Sequence, residues 1–110
     1  MPIIRVDGTV TQINVFTVNP GQQQALLDYL AEAARVAADV PGWMSASLHR
    51  SLDGTKVVNY AQSEDLDASR RVIERLMAEG MIQGNKAFGQ ASPGLYEVTF
   101  TLDRDSRPAR

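Results

Sequence analysis

The sequence predicts an α+β domain built on one four-stranded antiparallel sheet, in the order strand, helix, strand, strand, helix, strand. Three observations predict it. Four short stretches rich in β-branched and aromatic residues start near Val10, Trp43, Lys56 and Leu95. Two segments between them carry apolar residues at three- and four-residue spacing. Leu52-Asp53-Gly54-Thr55 joins the middle two strands as a hairpin.

The first strand is VTQINVFTV, Val10 to Val18, with Ile13, Val15 and Thr17 on one face and Asn14, Phe16 and Val18 on the other. Asn19-Pro20-Gly21-Gln22 then reads as a helix start: Asn19 as N-cap, Pro20 at the first helical position and Gln22 completing a capping box. Leu26, Leu30, Ala33 and Ala37 form the apolar stripe of that helix, which ends before Pro41-Gly42. WMSASLHRS and KVVNYAQS are the hairpin strands. A three-residue loop with Gly54 in the left-handed conformation would set Ser47 opposite Asn59 and Trp43 opposite Ser63, whereas a two-residue turn would shift the pairing by one and move Asn59 to the other face.

Ser63-Glu64-Asp65 supplies a cap and first-turn acids for a second amphipathic helix carrying Leu66, Ile73, Leu76 and Met77 to about Glu79. Gly80 and Gly84 break it, Met81 to Gln90 resumes as a short helix, and Ser92-Pro93-Gly94 turns into the strand LYEVTFTL. Residues 1–102 therefore make one domain, and 103–110, without apolar pattern, a frayed tail.

This order is the ferredoxin-like split βαβ pattern, βαββαβ. The helices cover one face of its sheet. The other face carries Ile13, Val15, Val58 and Tyr60 and needs a cover that the chain is too short to supply, so a second copy packed sheet to sheet, closing a dimeric α+β barrel, is expected.

Composition removes several functions. A net charge of -2, with the arginines scattered, offers no field for a phosphate backbone, which argues against nucleic acid. The absence of cysteine removes disulfides and thiolate chemistry and fits a cytoplasmic location. MPIIRVDGT lacks the apolar run of a signal peptide, and no segment approaches the ~18 apolar residues of a membrane span. One histidine cannot assemble the usual three-ligand catalytic metal site, and no glycine-rich phosphate loop or nucleophile elbow occurs, so neither metal nor bound cofactor is expected.

What remains is a set of neutral polar residues on strands: Asn14, Ser45, Ser47, His49, Asn59 and Ser63. An amide set among Phe16, Val18, Val57 and Ala61 costs a few kcal/mol if unpaired, so it must bond backbone, water, a neighbour or a ligand. A structural hydrogen bond accounts equally well for any one of them; two asparagines on the helix-facing side together favour a pocket. Trp43, following Pro-Gly, is first a hydrophobic anchor and second a ring-stacking wall. His49, at the hairpin end, fits an exposed position as well as a functional one.

The strings INVFTVNPGQQQALLDYL, PGWMSASLHRSLDGTKVVNYAQ and PGLYEV, spread from about residue 10 to residue 100, resemble the antibiotic-biosynthesis monooxygenase family, above all members acting on anthrone-type polyketides. SLHRSLDGTKVVNYAQ is the most specific of them. The resemblance implies a homodimer with a pocket between sheet and helices, and a cofactor-independent monooxygenase that uses O2 to oxidise an anthrone or naphthacenone to a quinone. It implies that Asn14 and Asn59 contact substrate or oxygen and that His49 takes part in proton transfer, with Trp43, Phe16, Ser47 and Ser63 as substrate-binding positions. Where the family commonly has tryptophan after the NYAQ string, this chain has Ser63. The alternatives are a polyketide cyclase or isomerase on the same scaffold, a reduced-flavin-dependent oxygenase, and a non-catalytic ligand-binding dimer.

Overall fold

The computed structural model describes residues 8–105. Strand β1 (Val10–Val18) leads to helix α1 (Gln23–Ala37). The hairpin strands β2 (Trp43–Arg50) and β3 (Lys56–Ser63) follow, then helix α2 (Leu66–Ala78), a single-turn helix α3 (Met81–Gly84), a 3₁₀ turn (Asn85–Ala87) and strand β4 (Gly89–Glu97). The sheet is antiparallel in the order β2-β3-β1-β4, the expected ferredoxin-like arrangement. No helix among the described residues is long and apolar enough to cross a membrane.

Strand β1 is paired on both edges, so its alternation sets the faces of the whole sheet. Asn14 lies opposite Asn59 on one side and Pro93 on the other; Phe16 lies opposite Val57 and Ala91. Phe16 and Val57 are fully buried against Leu26 and Leu30 of α1, and Ala33 and Ala37 complete the stripe read from the sequence. A second cluster joins Ala37, Val40 and Val72, with Trp43 and Leu76 packed on it.

Four local expectations are corrected. Asn19 is not a cap: Gln22 N–H bonds the Asn19 carbonyl at 3.0 Å, and Gly21 takes a φ of 78°, so Asn19 to Gln22 is a turn and α1 starts three residues after Pro20. Gln23 instead latches the helix to the hairpin, its side-chain amide donating to the carbonyls of Ser51 (3.2 Å) and Lys56 (3.0 Å). The hairpin loop holds four residues rather than three, because Ser51 N–H bonds the Lys56 carbonyl. Ser47 therefore faces Tyr60, and Leu48 faces Asn59; a bulge at Met44 restores the expected pairing of Trp43 with Ser63.

The third correction concerns the end of α2. Gly80, at a φ of 76°, ends that helical segment, but Gly84 breaks nothing: it closes α3, where a side chain would collide with the Tyr29 hydroxyl. The last is β4, which begins at Gly89 and runs straight through Ser92-Pro93-Gly94, expected to be a turn. Pro93 is tolerated because β4 is an edge strand. Gly89 is required there, since a Cβ would collide with the Thr17 carbonyl oxygen. Val98 to Leu102, expected to be strand, leave the sheet. Asp103 to Asp105 form a turn, and the remainder of the expected tail lies outside the described residues.

The Ser63-Glu64-Asp65 segment does cap α2, and the capping residue is Asp65, which accepts from Ala68 N–H at 2.8 Å. In the hairpin loop Asp53 accepts from Thr55 Oγ1 (2.7 Å), Thr55 N–H (3.0 Å) and Ser51 Oγ (2.8 Å), and these bonds hold its carboxyl down at about 2.

Two outcomes follow from these contacts. Phe16→Ala should cost about 3–5 kcal/mol in denaturant unfolding, the scale of a fully buried aromatic. Because the folded Asp53 value lies below the ordinary aspartate value of 3.8, the support it gives the loop is present above 3.8 and is lost as pH falls towards about 2. An NMR titration of its carboxyl carbon should show a midpoint near 2, and one near 3.8 would remove the three-bond network.

Candidate functional site

Between the β1–β4 side of the sheet and the α2–α3 segment lies a cleft of about 710 Å³. Its walls are apolar: Ile73 of α2, Ile82 of α3, and Ala91, Pro93 and Leu95 of β4. Polar groups enter from Gln12, Asn14, Asn85 and Gln90, and Lys86 is the charged residue lining it. Beneath the cleft is a chamber of about 30 Å³, where Asn14, Asn59 and Asn85 meet Phe16, Leu30, Ala33, Leu76 and Met81. Gln12, Asn14, Ile73, Ile82 and Asn85 line both spaces, so the chamber is the floor of the cleft. A space of this size with few polar groups in apolar walls is the usual form of a small-molecule site.

The three amides are held differently. Asn14 Oδ1 accepts from the Ser92 N–H of β4 at 3.1 Å, next to Pro93, which has no N–H to give the ladder. Its oxygen is committed, so what Asn14 offers the chamber is its NH2. Asn59 sits across from it on β3, and its buried Oδ1 has no partner among the described residues. Asn85 is 8% exposed, and its Oδ1 is likewise buried and unpartnered. Each such oxygen costs about 1–3 kcal/mol unless something outside the protein's own atoms satisfies it.

Asn85 reaches the site because α1 holds the 3₁₀ turn in place. The Tyr29 hydroxyl donates to the Met81 carbonyl at 3.1 Å, and its ring stands 5.2 Å from that of Phe88. Asn85 and Lys86 were missed by sequence reasoning. An asparagine between Gly84 and Lys86 looks like a surface turn until Tyr29 folds that segment over the sheet; the one available signal was the glycine-rich break itself.

The structure brings Asn14, Asn59 and Phe16 together, and separates the rest from them. Phe16 is core and touches only the chamber. Trp43 faces Ser63 as expected, but its ring is spent on the Ala37, Val40 and Val72 cluster, and neither residue lines the cleft. Ser47 and His49 pair with Tyr60 and Val58, which puts both on the face away from the helices. There Ser47 Oγ and His49 Nε2 bond each other at 2.9 Å.

The arrangement can bind a flat apolar guest, meet it at the floor with neutral hydrogen-bonding groups, and set one ammonium at the rim. Amides aimed into a dry space stabilise developing anionic charge without a proton of their own to lose.

Residues 9–71 match the antibiotic biosynthesis monooxygenase family. The chain is 45% identical over 53 residues to tetracenomycin-F1 monooxygenase of Streptomyces glaucescens, a match covering 47% of each protein, so it spans about half the length of that relative. Its fold is similar to the crystal structure of SnoaB, a cofactor-independent oxygenase from Streptomyces nogalater, at 29% identity and a TM-score of 0.78, covering 86% of this chain and 97% of that one. It also resembles, in fold, a monooxygenase from the gene ActVA-Orf6 of Streptomyces coelicolor in complex with Nanaomycin D, at 24% identity and a TM-score of 0.77, covering 89% and 94%.

The unequal bonding of the amides has a measurable consequence. Asn14→Leu strips the exposed Ser92 N–H of its acceptor and should cost about 0.5–1.5 kcal/mol of unfolding free energy, whereas Asn59→Leu removes a buried oxygen with no partner among the described residues and should be nearly neutral. Denaturant unfolding of both variants compares them, and equal losses would mean that Asn59 is tied to the protein after all.

Proposed function

On the premise that the chain belongs to the antibiotic biosynthesis monooxygenase family, we propose that it is a cofactor-independent oxygenase that takes an electron-rich aromatic polyketide, of anthrone or naphthacenone type, into the helix-side cleft and oxidises it to a quinone with O2. The observation that carries this reading is the floor of the cleft: the uncharged amides of Gln12, Asn14, Asn59 and Asn85 inside otherwise apolar walls. The names of the relatives, a cofactor-independent oxygenase among them, support it.

The chemistry suits such a floor. An anthrone loses a proton from its ring CH2 to give a carbanion, which passes one electron to O2; radical and superoxide recombine to a peroxide, and loss of water leaves the ketone of the quinone. One O2 is consumed per substrate, one oxygen atom entering the product and the other leaving as water. The protein's part is to desolvate the ring and to hold donors where the anion develops. Asn14 presents its NH2, Asn59 sits opposite, and the Lys86 ammonium adds positive charge at the rim. Ser47 and His49 belong, in this reading, to the dimer face rather than to the cleft.

The same reading includes a homodimer. The open face of the sheet keeps Ile13, Val15, Val58 and Tyr60 only half-buried, and beside them Phe100 and Leu102 are 75% and 77% exposed. Apolar surface of that kind is stabilised by covering it with a second copy.

Oxygen-electrode assays with 1,8-dihydroxyanthrone, corrected for its autoxidation, should show protein-dependent uptake of one O2 per anthrone without added metal, flavin or reductant. Asn59→Ala should lower turnover on the order of a hundredfold, and Lys86→Met by less. Equal substrate conversion without oxygen would replace the oxygenase with a cyclase or isomerase, and an absolute need for reduced flavin would replace the cofactor-free mechanism. Light scattering should give twice the chain mass, and Tyr60→Asp should halve it; a monomeric wild type would remove the barrel.

A further inference from the structure

The chamber under the cleft has a stoichiometry that the oxygenase reading leaves unused. Two amide oxygens, those of Asn59 and Asn85, are buried and lack partners, and both residues line one space of about 30 Å³. Asn14 lines the same space, and with its oxygen bound to Ser92 it has only N–H groups to turn inward. The remaining walls are the Gln12 amide, which bonds neither oxygen, and apolar side chains such as Phe16, Leu30, Ala33 and Leu76, which can satisfy neither.

What belongs there must be small and must donate two hydrogen bonds. Dioxygen is small enough but has no proton, so it leaves both oxygens unsatisfied. A hydroxyl of a guest donates once. A chamber of about 30 Å³ exceeds the ~10–15 Å³ that a buried water needs; water donates twice and accepts twice, and buried waters usually make about three hydrogen bonds to groups otherwise unpaired. We propose that Asn14, Asn59 and Asn85 form a binding site for one water molecule at the floor of the cleft. It donates to Asn59 Oδ1 and Asn85 Oδ1 and accepts from Asn14 Nδ2.

One acceptor position of that water is then left over, and it faces the cleft, because Asn14 and Asn85 line both spaces. The water thus turns two side-chain acceptors into a single acceptor aimed at the guest. Resting on the oxygenase reading, it selects a substrate with a hydroxyl at its inner edge and fixes which edge of the ring enters first. Asn85 is accordingly a positioning residue, acting through the water and not on the reacting carbon.

A crystal structure of the ligand-free wild type at about 1.5 Å resolution tests the site. One isolated peak about 2.7–3.2 Å from both amide oxygens and from Asn14 Nδ2 is expected. An empty chamber, or Asn59 and Asn85 bonded directly to each other, overturns the proposal whatever the activity proves to be. Asn85→Leu should abolish the peak; its persistence there would mean that Asn85 does not hold the water. Steady-state assays supply the second readout. Asn85→Leu should raise KM at least tenfold for 1,8-dihydroxyanthrone and by a clearly smaller factor for unsubstituted anthrone; equal losses on both probes would reduce Asn85 to a structural residue. If the peak is present while the wild type takes up no oxygen, the water site stands and the oxygenase reading falls.

Discussion

Strand β1 is hydrogen-bonded on both edges, and its two-residue alternation is the constraint from which the site descends. Once Phe16 is committed to the core against Leu26 and Leu30, Asn14 and Gln12 must face the helices as well. Pairing then carries that choice outwards, setting Asn59 beside Asn14 on β3 and Pro93 beside it on β4. A one-residue slip of either neighbour would turn its cleft-facing side chains to the opposite surface.

The same layer that buries Phe16 also contains amides, and this is where stability and function part. Asn14 lends its oxygen to a β4 N–H next to a proline that interrupts the ladder, so it serves the fold and the cleft together. Asn59 and Asn85 bring no such compensation among the described residues. A core selected for stability alone would place leucine there. Helix α1 contributes at a distance: Tyr29 pins the segment that carries Asn85 and Lys86, so packing on one side of the domain sets the chemistry on the other.

Much of this was legible in the residues. The β1 alternation, the Leu26-Leu30-Ala33-Ala37 stripe and a cap within Ser63-Glu64-Asp65 all follow from local pattern, because each depends on neighbours within one or two turns or strands. Where local rules competed, the structure chose: Pro20 fits both a helix start and a turn, and Gly21 at positive φ decided for the turn. Pro93 reads as a break, yet an edge strand has no use for the missing N–H.

The sequence by itself determined the fold class and the two faces of β1, with Asn14 on the helix side, since periodicity is a property of short segments; pairing of β3 with β1 put Asn59 beside it. Only the tertiary structure decided that Ser47 and His49 lie on the other face, that the Trp43 ring is used in packing, and that Asn85 joins the two strand asparagines. The reason is physical: a single bulge or one extra loop residue reverses the side of a strand, and the approach of a distant turn is set by long-range packing that leaves no periodic trace in the chain.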